Sequence, residues 1–345
     1  MRLLFDVLHP AHVHFFRPLA EEVRAGGGEV LFAARRKEVA VELLQAYDLP
    51  FRELSAIGGG PLGLAGELAT RSARLASLCR EFRPDALLGI MGPCIAPVGR
   101  LLGIPSLVCY DTETAGVTNR WVFPLATAVL TPRAWRGRPR RNQRQYDGTQ
   151  ELAYLHPRRF TPDPSRLVRA GLTPGEPFAL VRFVSWEASH DLGDRGFVDR
   201  EGFVRALAAR TKTVISSERG VPASLADRVL DLPPADLHHA LAAASLVVGE
   251  GATTAAEAAV LGTPAVFVHT ARLGYMDELE NRFGLLYRRT RQDEALRLSL
   301  DLLADPAQTA ATWARRRQRL LESSVDVTDW LTATVADVVG SRSAE

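Results

Sequence analysis

Leu246-Val-Val-Gly249-Glu250-Gly251-Ala252-Thr253-Thr254-Ala-Ala-Glu257-Ala-Ala-Val-Leu-Gly262-Thr-Pro264-Ala-Val-Phe-Val268 reads as strand, tight turn, short helix and strand. The apolar run Leu246 to Val248 has the character of a strand buried on both faces. Gly249 and Gly251 let the backbone turn sharply and come close to a ligand. The helix is expected to open near Thr253, a good capping residue, and to close at Gly262 with Pro264 just beyond. Its first turn then directs free N–H groups above the sheet, where an anion such as a diphosphate is favoured. Thr253, Thr254 and Glu257 share one helical face. Hydroxyls at the helix mouth suit phosphate oxygens, and a carboxylate one turn deeper can accept from ribose hydroxyls. The plainer reading is a small-residue helix packed tightly on a sheet.

Around this stretch the chain alternates strand and helix throughout. Leu3 to Leu8 is a strand ending at His9-Pro10. The loop Ala11-His12-Val13-His14-Phe15 leads into a helix with apolar residues at Phe16, Leu19, Ala20 and Val23, and Pro18 is placed in its first turn. This is a Rossmann-like start whose turn carries histidines where a dinucleotide fold has Gly-x-Gly-x-x-Gly, which argues against NAD. Histidines there stand at the carboxyl edge of the sheet, where ligands bind in such folds. Strands follow at Val30 to Ala34, Phe51 to Leu54, Ala86 to Ile90, Ser106 to Tyr110 and Ala128 to Leu130. Asp111-Thr112-Glu113 comes straight after one of them. Two carboxylates at that edge, Asp111 and Glu113, can serve acid/base chemistry or orient a sugar, while Asp111 or Thr112 can equally cap the next helix. Six arginines between Arg133 and Arg144 suit an anionic acceptor, or form a solvated loop.

Five prolines from Pro157 to Pro177 read as an interdomain connection. A second α/β half begins at Phe178 to Phe183, with the polar loop Ser185-Trp186-Glu187-Ala188-Ser189-His190-Asp191 at its strand end. Strands are expected at Thr213 to Ser216 and Leu230 to Leu232. A further loop, Thr270 to Leu279, places Asp277 and Glu278 at the same edge as the opening stretch. Val327, Leu331, Val335 and Val338 lie on one face of a closing helix.

At 345 residues two domains are the natural expectation, and 46% hydrophobic with 24% charged residues is ordinary for a globular protein. The net charge of +2 implies no general affinity for nucleic acid. Three cysteines without metal-ligand spacing suggest a reduced, cytoplasmic protein. No apolar run reaches membrane-spanning length.

Taken together, these features resemble the GT-B fold, α/β with two Rossmann-like domains facing each other across a cleft. Within it the chain looks like an uncharacterised prokaryotic family of unknown function akin to the non-hydrolysing UDP-N-acetylglucosamine 2-epimerases. The resemblance is carried by His9-Pro10-Ala11-His12-Val13-His14, Asp111-Thr112-Glu113, Tyr146-Asp147-Gly148 through Glu151 to Pro157, Arg182 to Asp191, and Gly249-Glu250-Gly251. Kinship to those epimerases, and to the N-acetylglucosaminyltransferase that completes the lipid-linked peptidoglycan precursor, is more distant, at the level of the fold and the late glycine-turn motif. The resemblance implies domains at 1–160 and 175–325, with 326–345 returning to the first. It implies a nucleotide-sugar donor, UDP-linked, and no separate cofactor or metal; no Asp-x-Asp motif is present. Glu250, Gly251, Ala252, Thr253 and Thr254 become donor contacts, with Glu257 on the ribose. Ser185, Glu187 and His190 border the phosphates, and His14, Asp277 and Glu278 join the binding set.

Where the epimerases carry Gly-Thr-Arg-Pro-Glu this chain has His9-Pro10-Ala11-His12, so their arginine and acid are missing. A histidine in the first loop is what several inverting GT-B transferases use as general base. The leading expectation is therefore a metal-independent glycosyltransferase acting on an anionic or lipid-linked acceptor, with His12 as base and Asp111 orienting it. The alternatives are a 2-epimerase-like enzyme working through Asp111 and Glu113, and a sugar-nucleotide-binding protein without catalysis. Membrane association and a homodimer are both compatible with such an enzyme.

Overall fold

The computed structural model describes residues 1–37, 39–56, 60–113, 116–183, 197–217 and 220–343. The chain divides into two compact units, Met1–Tyr154 with Ser324–Glu345, and Leu155–Ser323.

Unit 1 is built from β1 (Arg2–Val7), α1 (Pro10–Ala25), β2 (Glu29–Arg36), α2 (Ala40–Ala46), β3 (Phe51–Ala56), α3 (Gly60–Phe82), β4 (Ala86–Ile90), α4 (Ile95–Leu102), β5 (Ser106–Cys109), α5 (Gly116–Leu125), β6 (Ala128–Pro132) and β7 (Gln143–Tyr146). Its seven strands run parallel in the order β3-β2-β1-β4-β5-β6-β7. That is the dinucleotide-fold order extended by one strand, with the strand order reversing between β1 and β4, which themselves pair in parallel. Strand β1 is buried along nearly its whole length, as a central parallel strand covered on both faces must be. β7 is the strand the sequence hides, because Gln-Arg-Gln-Tyr has only Tyr146 buried and lies at a sheet edge.

The closing helix, α13 once α6 (Leu152–Leu155) and the helices of unit 2 are counted, spans Val327–Ser343 and packs on α1. Val327, Leu331 and Val335 are fully buried, Thr332 donates to Glu22 at 2.7 Å, and Thr328 donates to the Ala153 carbonyl at 2.7 Å.

Unit 2 contains β8 (Phe178–Phe183), α7 (Arg200–Ala208), β9 (Lys212–Ser217), α8 (Leu237–Ala243), β10 (Leu246–Gly249), α9 (Ala252–Leu261), β11 (Ala265–Val268), α10 (Gly274–Glu278), β12 (Leu286–Arg289), α11 (Gln292–Ala304) and α12 (Pro306–Glu322). The parallel order is β12-β11-β10-β8-β9. The strand expected at Leu230 to Leu232 is reduced to a single parallel bridge, Ile215 to Val229. Pro233 and Pro234 follow at once and lack the N–H groups that a longer ladder needs. The reversal here lies between β8 and β10, so ligands are favoured just beyond Phe183 and Gly249.

Two local expectations change. α1 begins at Pro10, with the His9 ring accepting from the Ala11 N–H at 3.2 Å as its cap, so His12 and His14 are helical residues and Pro18 is interior. The segment Thr270 to Leu279 carries α10, which runs into a π-helical turn at Leu279–Phe283.

Candidate functional site

In unit 2 the organising feature is the β10-to-α9 turn at the reversal of strand order. Gly251, in extended conformation (φ −84°, ψ 115°), is the N-cap of α9, two residues before the expected cap Thr253. Glycine caps well without a side chain, and Thr253 is thereby moved into the first turn. The first helical bond runs from the Ala255 N–H to the Gly251 carbonyl at 3.1 Å. The N–H groups of Ala252, Thr253 and Thr254 therefore have no helical acceptor and mark the positive end of the dipole. At the other end Thr263 N–H meets the Ala258 carbonyl and Gly262 N–H the Ala259 carbonyl, closing the helix with Gly262 left-handed (φ +85°).

Gly249 serves packing rather than ligand approach. A Cβ there would lie 2.4 Å from the Arg182 carbonyl oxygen, so its absence lets β10 sit against β8. Glu250, half-buried, pairs with the buried Arg200 at 2.9 Å.

α9 is buried almost all round, and its alanines allow close contact with β10, β11 and α8. Glu257 is thus carried into the interior, 4% exposed. Its Oε1 lies 2.9 Å from Nε2 of His238, itself 4% exposed on α8. Sequence reasoning missed His238. The only signal was a His-His pair at the start of a helix two elements earlier. Its neighbour His239 takes another role, with Nδ1 accepting from the Asp163 N–H at 2.9 Å.

In unit 1 the end of β1 and the first turn of α1 bring His9 and His12 together, with ring centroids 6.1 Å apart. His12 is 8% exposed, and its Nδ1 accepts from the Leu8 N–H at 3.3 Å. Burial holds its pKa well below the ordinary 6.5, reinforced by positive charge from His9, Lys37 and Arg71 against a raising hydrogen bond to the Asp6 backbone. The imidazole is therefore neutral at physiological pH. Its ring is oriented by the backbone of Asp6 and Leu8, and Asp111 is not its partner. The half-buried Asp111 carboxylate instead accepts from the Thr112 hydroxyl at 2.8 Å, and burial raises its pKa. Glu113 accepts from the Arg136 N–H at 3.0 Å, which ties it to the arginine-rich segment. In that segment Arg133 pairs with Asp147 and Arg144 with Asp337, both at 2.6 Å on the surface.

Residues 1–162 match the model of a family described as a protein of unknown function, DUF354. A UDP-N-acetylglucosamine–N-acetylmuramyl-(pentapeptide) pyrophosphoryl-undecaprenol N-acetylglucosamine transferase of Rubrobacter xylanophilus is 30% identical over 280 residues, covering 72% of this chain and 76% of the relative. The transferase of the same name from Halorhodospira halophila is 30% identical over 276 residues, covering 74% of each. The chain belongs to this glycosyltransferase family. Among solved structures, spinosyn forosaminyltransferase SpnP aligns at a TM-score of 0.62 with 17% identity, over 97% of this chain and 99% of its own. The glycosyltransferase VinC in complex with dTDP aligns at 0.63 with 15% identity, over 98% and 100%. The fold is GT-B.

For a glycosyltransferase of this kind, unit 2 brings Glu250, Gly251, Ala252, Thr253, Thr254 and Glu257 onto one turn and the helix it opens. Asp277 is buried in α10, and Glu278 next to it pairs with Arg282 at 2.8 Å. Ser185, Glu187 and His190 lie outside the described residues. In unit 1, His14 parts company with His12. Two residues along a helix turn the side chain by about 200°, so the rings leave on opposite sides. His14 stacks on Tyr154 at 5.7 Å and meets the Tyr47 hydroxyl at 3.3 Å, a packed residue rather than an open ligand contact. No helix among the described residues is long and apolar enough to cross a membrane.

Proposed function

We propose that this glycosyltransferase transfers a sugar from a nucleotide sugar, UDP-linked, to a hydroxyl acceptor without a metal ion. The observation that carries the reading is the α9 turn. Three N–H groups at the mouth of a buried helix, with the Thr253 and Thr254 hydroxyls beside them, lie where the strand order reverses. Such a mouth favours a diphosphate and stabilises it further as it departs with added negative charge. Glu257 one turn deeper receives the ribose hydroxyls. In unit 1 the neutral, buried His12 takes the acceptor proton on Nδ1, the ring nitrogen without a hydrogen, as the acceptor hydroxyl displaces its long 3.3 Å contact with the Leu8 N–H. Kinship to transferases named for a lipid-linked acceptor supports an acceptor of that chemistry, anionic and carried on a membrane lipid.

The test is to incubate the purified protein with UDP-N-acetylglucosamine, with and without a polyprenyl-diphosphate-linked sugar. Release of UDP only when the acceptor is present is the expected result. Isomerisation of the donor without acceptor would replace transfer by epimerisation. Binding with no turnover across a panel of acceptors would leave a binding protein. No stabilisation by any nucleotide or nucleotide sugar in a thermal-shift screen would overturn the reading altogether.

A further inference from the structure

We propose that His238 is a positioning residue that fixes the Glu257 carboxylate for a cis-diol, and so makes this site select ribonucleotides over 2′-deoxyribonucleotides. The inference rests on the nucleotide-binding reading of α9. What it adds is a residue on a different helix, and a selectivity that the choice of donor does not by itself decide, since one structural neighbour is a complex with dTDP.

A buried glutamate is a costly element of a helix otherwise made of alanine, threonine, valine and leucine. It is tolerated where a hydrogen-bond donor meets it. His238 supplies one: Nε2 lies 2.9 Å from Oε1, with both residues 4% exposed. With oxygen on the far side, Nε2 carries the proton and donates. The imidazole is itself held. α8 packs against α9, Phe160 sits edge-on to the His238 ring at 6.1 Å, and neighbouring Asp236 is clamped by Arg166 and Arg169. A flexible carboxylate on three rotatable bonds would lose entropy on meeting a ligand, whereas one anchored through Oε1 has lost it beforehand. A carboxylate accepts about four hydrogen bonds in its plane. Anchoring one oxygen fixes that plane and still leaves capacity for two hydroxyl donors, the 2′- and 3′-OH of a ribose. A site built to accept from a hydroxyl rejects the analogue that lacks it far better than an apolar pocket can.

The experiment compares dissociation constants for UDP and 2′-deoxy-UDP, repeated with the ADP and GDP pairs so that the base need not be known. It uses the wild type, His238→Gln and His238→Leu. The wild type is expected to favour the ribonucleotide by about tenfold to a hundredfold, the loss of one hydrogen bond to a charged group. His238→Gln, which keeps an N–H donor, should retain most of that ratio, and His238→Leu should bring it close to one. A merely structural histidine would lower affinity for both members of a pair alike and leave the ratio unchanged, which overturns the proposal. Equal binding of the two by the wild type overturns it too, with no variant needed. A wild type that binds none of the nucleotides removes the nucleotide reading and this inference together. Selective binding whose ratio survives His238→Leu removes only the inference.

Discussion

The guanidinium of Arg71 on α3 lies 2.5 Å from the carboxylate of Asp6 on β1, and the two side chains are 2% and 1% exposed. Arg71 also donates to the Ala33 and Ala34 carbonyls at 2.7 and 3.1 Å and to the Ser55 hydroxyl at 3.0 Å. One side chain thus joins three strands beneath the His9–His12 turn. The cost of enclosing two charges is offset because nearly every guanidinium hydrogen has an acceptor.

Arg71→Met should therefore destabilise unit 1 by about 3–5 kcal/mol, since it leaves Asp6 charged and enclosed without its partner. Urea denaturation measures this directly. A loss below about 1 kcal/mol, in the range of exposed pairs, would show that the enclosure is not maintained in solution.

His12→Ala should lower transfer by about 10²–10⁴ while nucleotide affinity stays within error. His14→Ala is the control and should act through stability, given its packing on Tyr47 and Tyr154. Loss of transfer with His14→Ala alone would assign the wrong histidine.

The depressed pKa of His12 gives a second, independent signature. As pH falls through 6.5 the unfolded chain takes up a proton at this site before the native state does, so stability declines. The contribution is absent above that pH and grows below it until the native pKa is passed. Wild type should thus lose more stability than His12→Gln between pH 7.5 and 5.5, compared by urea midpoints. The acidic limb that His12 imposes on kcat/KM should also fall below pH 6.5. Equal pH dependence in the two proteins would mean that the ring is solvated.

Glu257→Ala should weaken nucleotide binding by about 1–3 kcal/mol, the range for a charge-assisted hydrogen bond. Calorimetry at matched folded fraction separates this from the stability lost when His238 keeps its place without the carboxylate. Unchanged affinity in a folded variant would make the His238–Glu257 pair structural.

Gly249→Ala and Gly66→Ala should shift stability in opposite directions. At Gly249 the new methyl would sit 2.4 Å from the Arg182 carbonyl oxygen and 2.9 Å from Arg182 Cβ, so β10 and β8 must part. The expected cost is about 1–3 kcal/mol. At Gly66, in the interior of α3, a Cβ meets nothing within 4 Å. Alanine there should add about 0.5–1 kcal/mol of stability through helix propensity. Thermal denaturation of the pair is the check.

What the sequence determined by itself was local and periodic. The run Leu246 to Val248, the glycine turn, the alanine-rich helix and Gly262 with Pro264 specified a strand-helix-strand unit, because buried parallel strands and helix stops are written in adjacent residues. Alternation of such units along the chain gave the α/β class, and the position of Glu257 inside α9 followed from counting along one helix. Tertiary structure decided the rest. Whether His12 stands in a loop or a helix depended on the His9 ring finding the Ala11 N–H. β7, with a single buried residue, exists because β6 offers its edge. Gly249 is required by a carbonyl 67 positions earlier in the chain. His238 meets Glu257 only once α8 has folded across α9. Periodicity reports which face of an element is buried, and it carries no record of which side chain waits on the facing element.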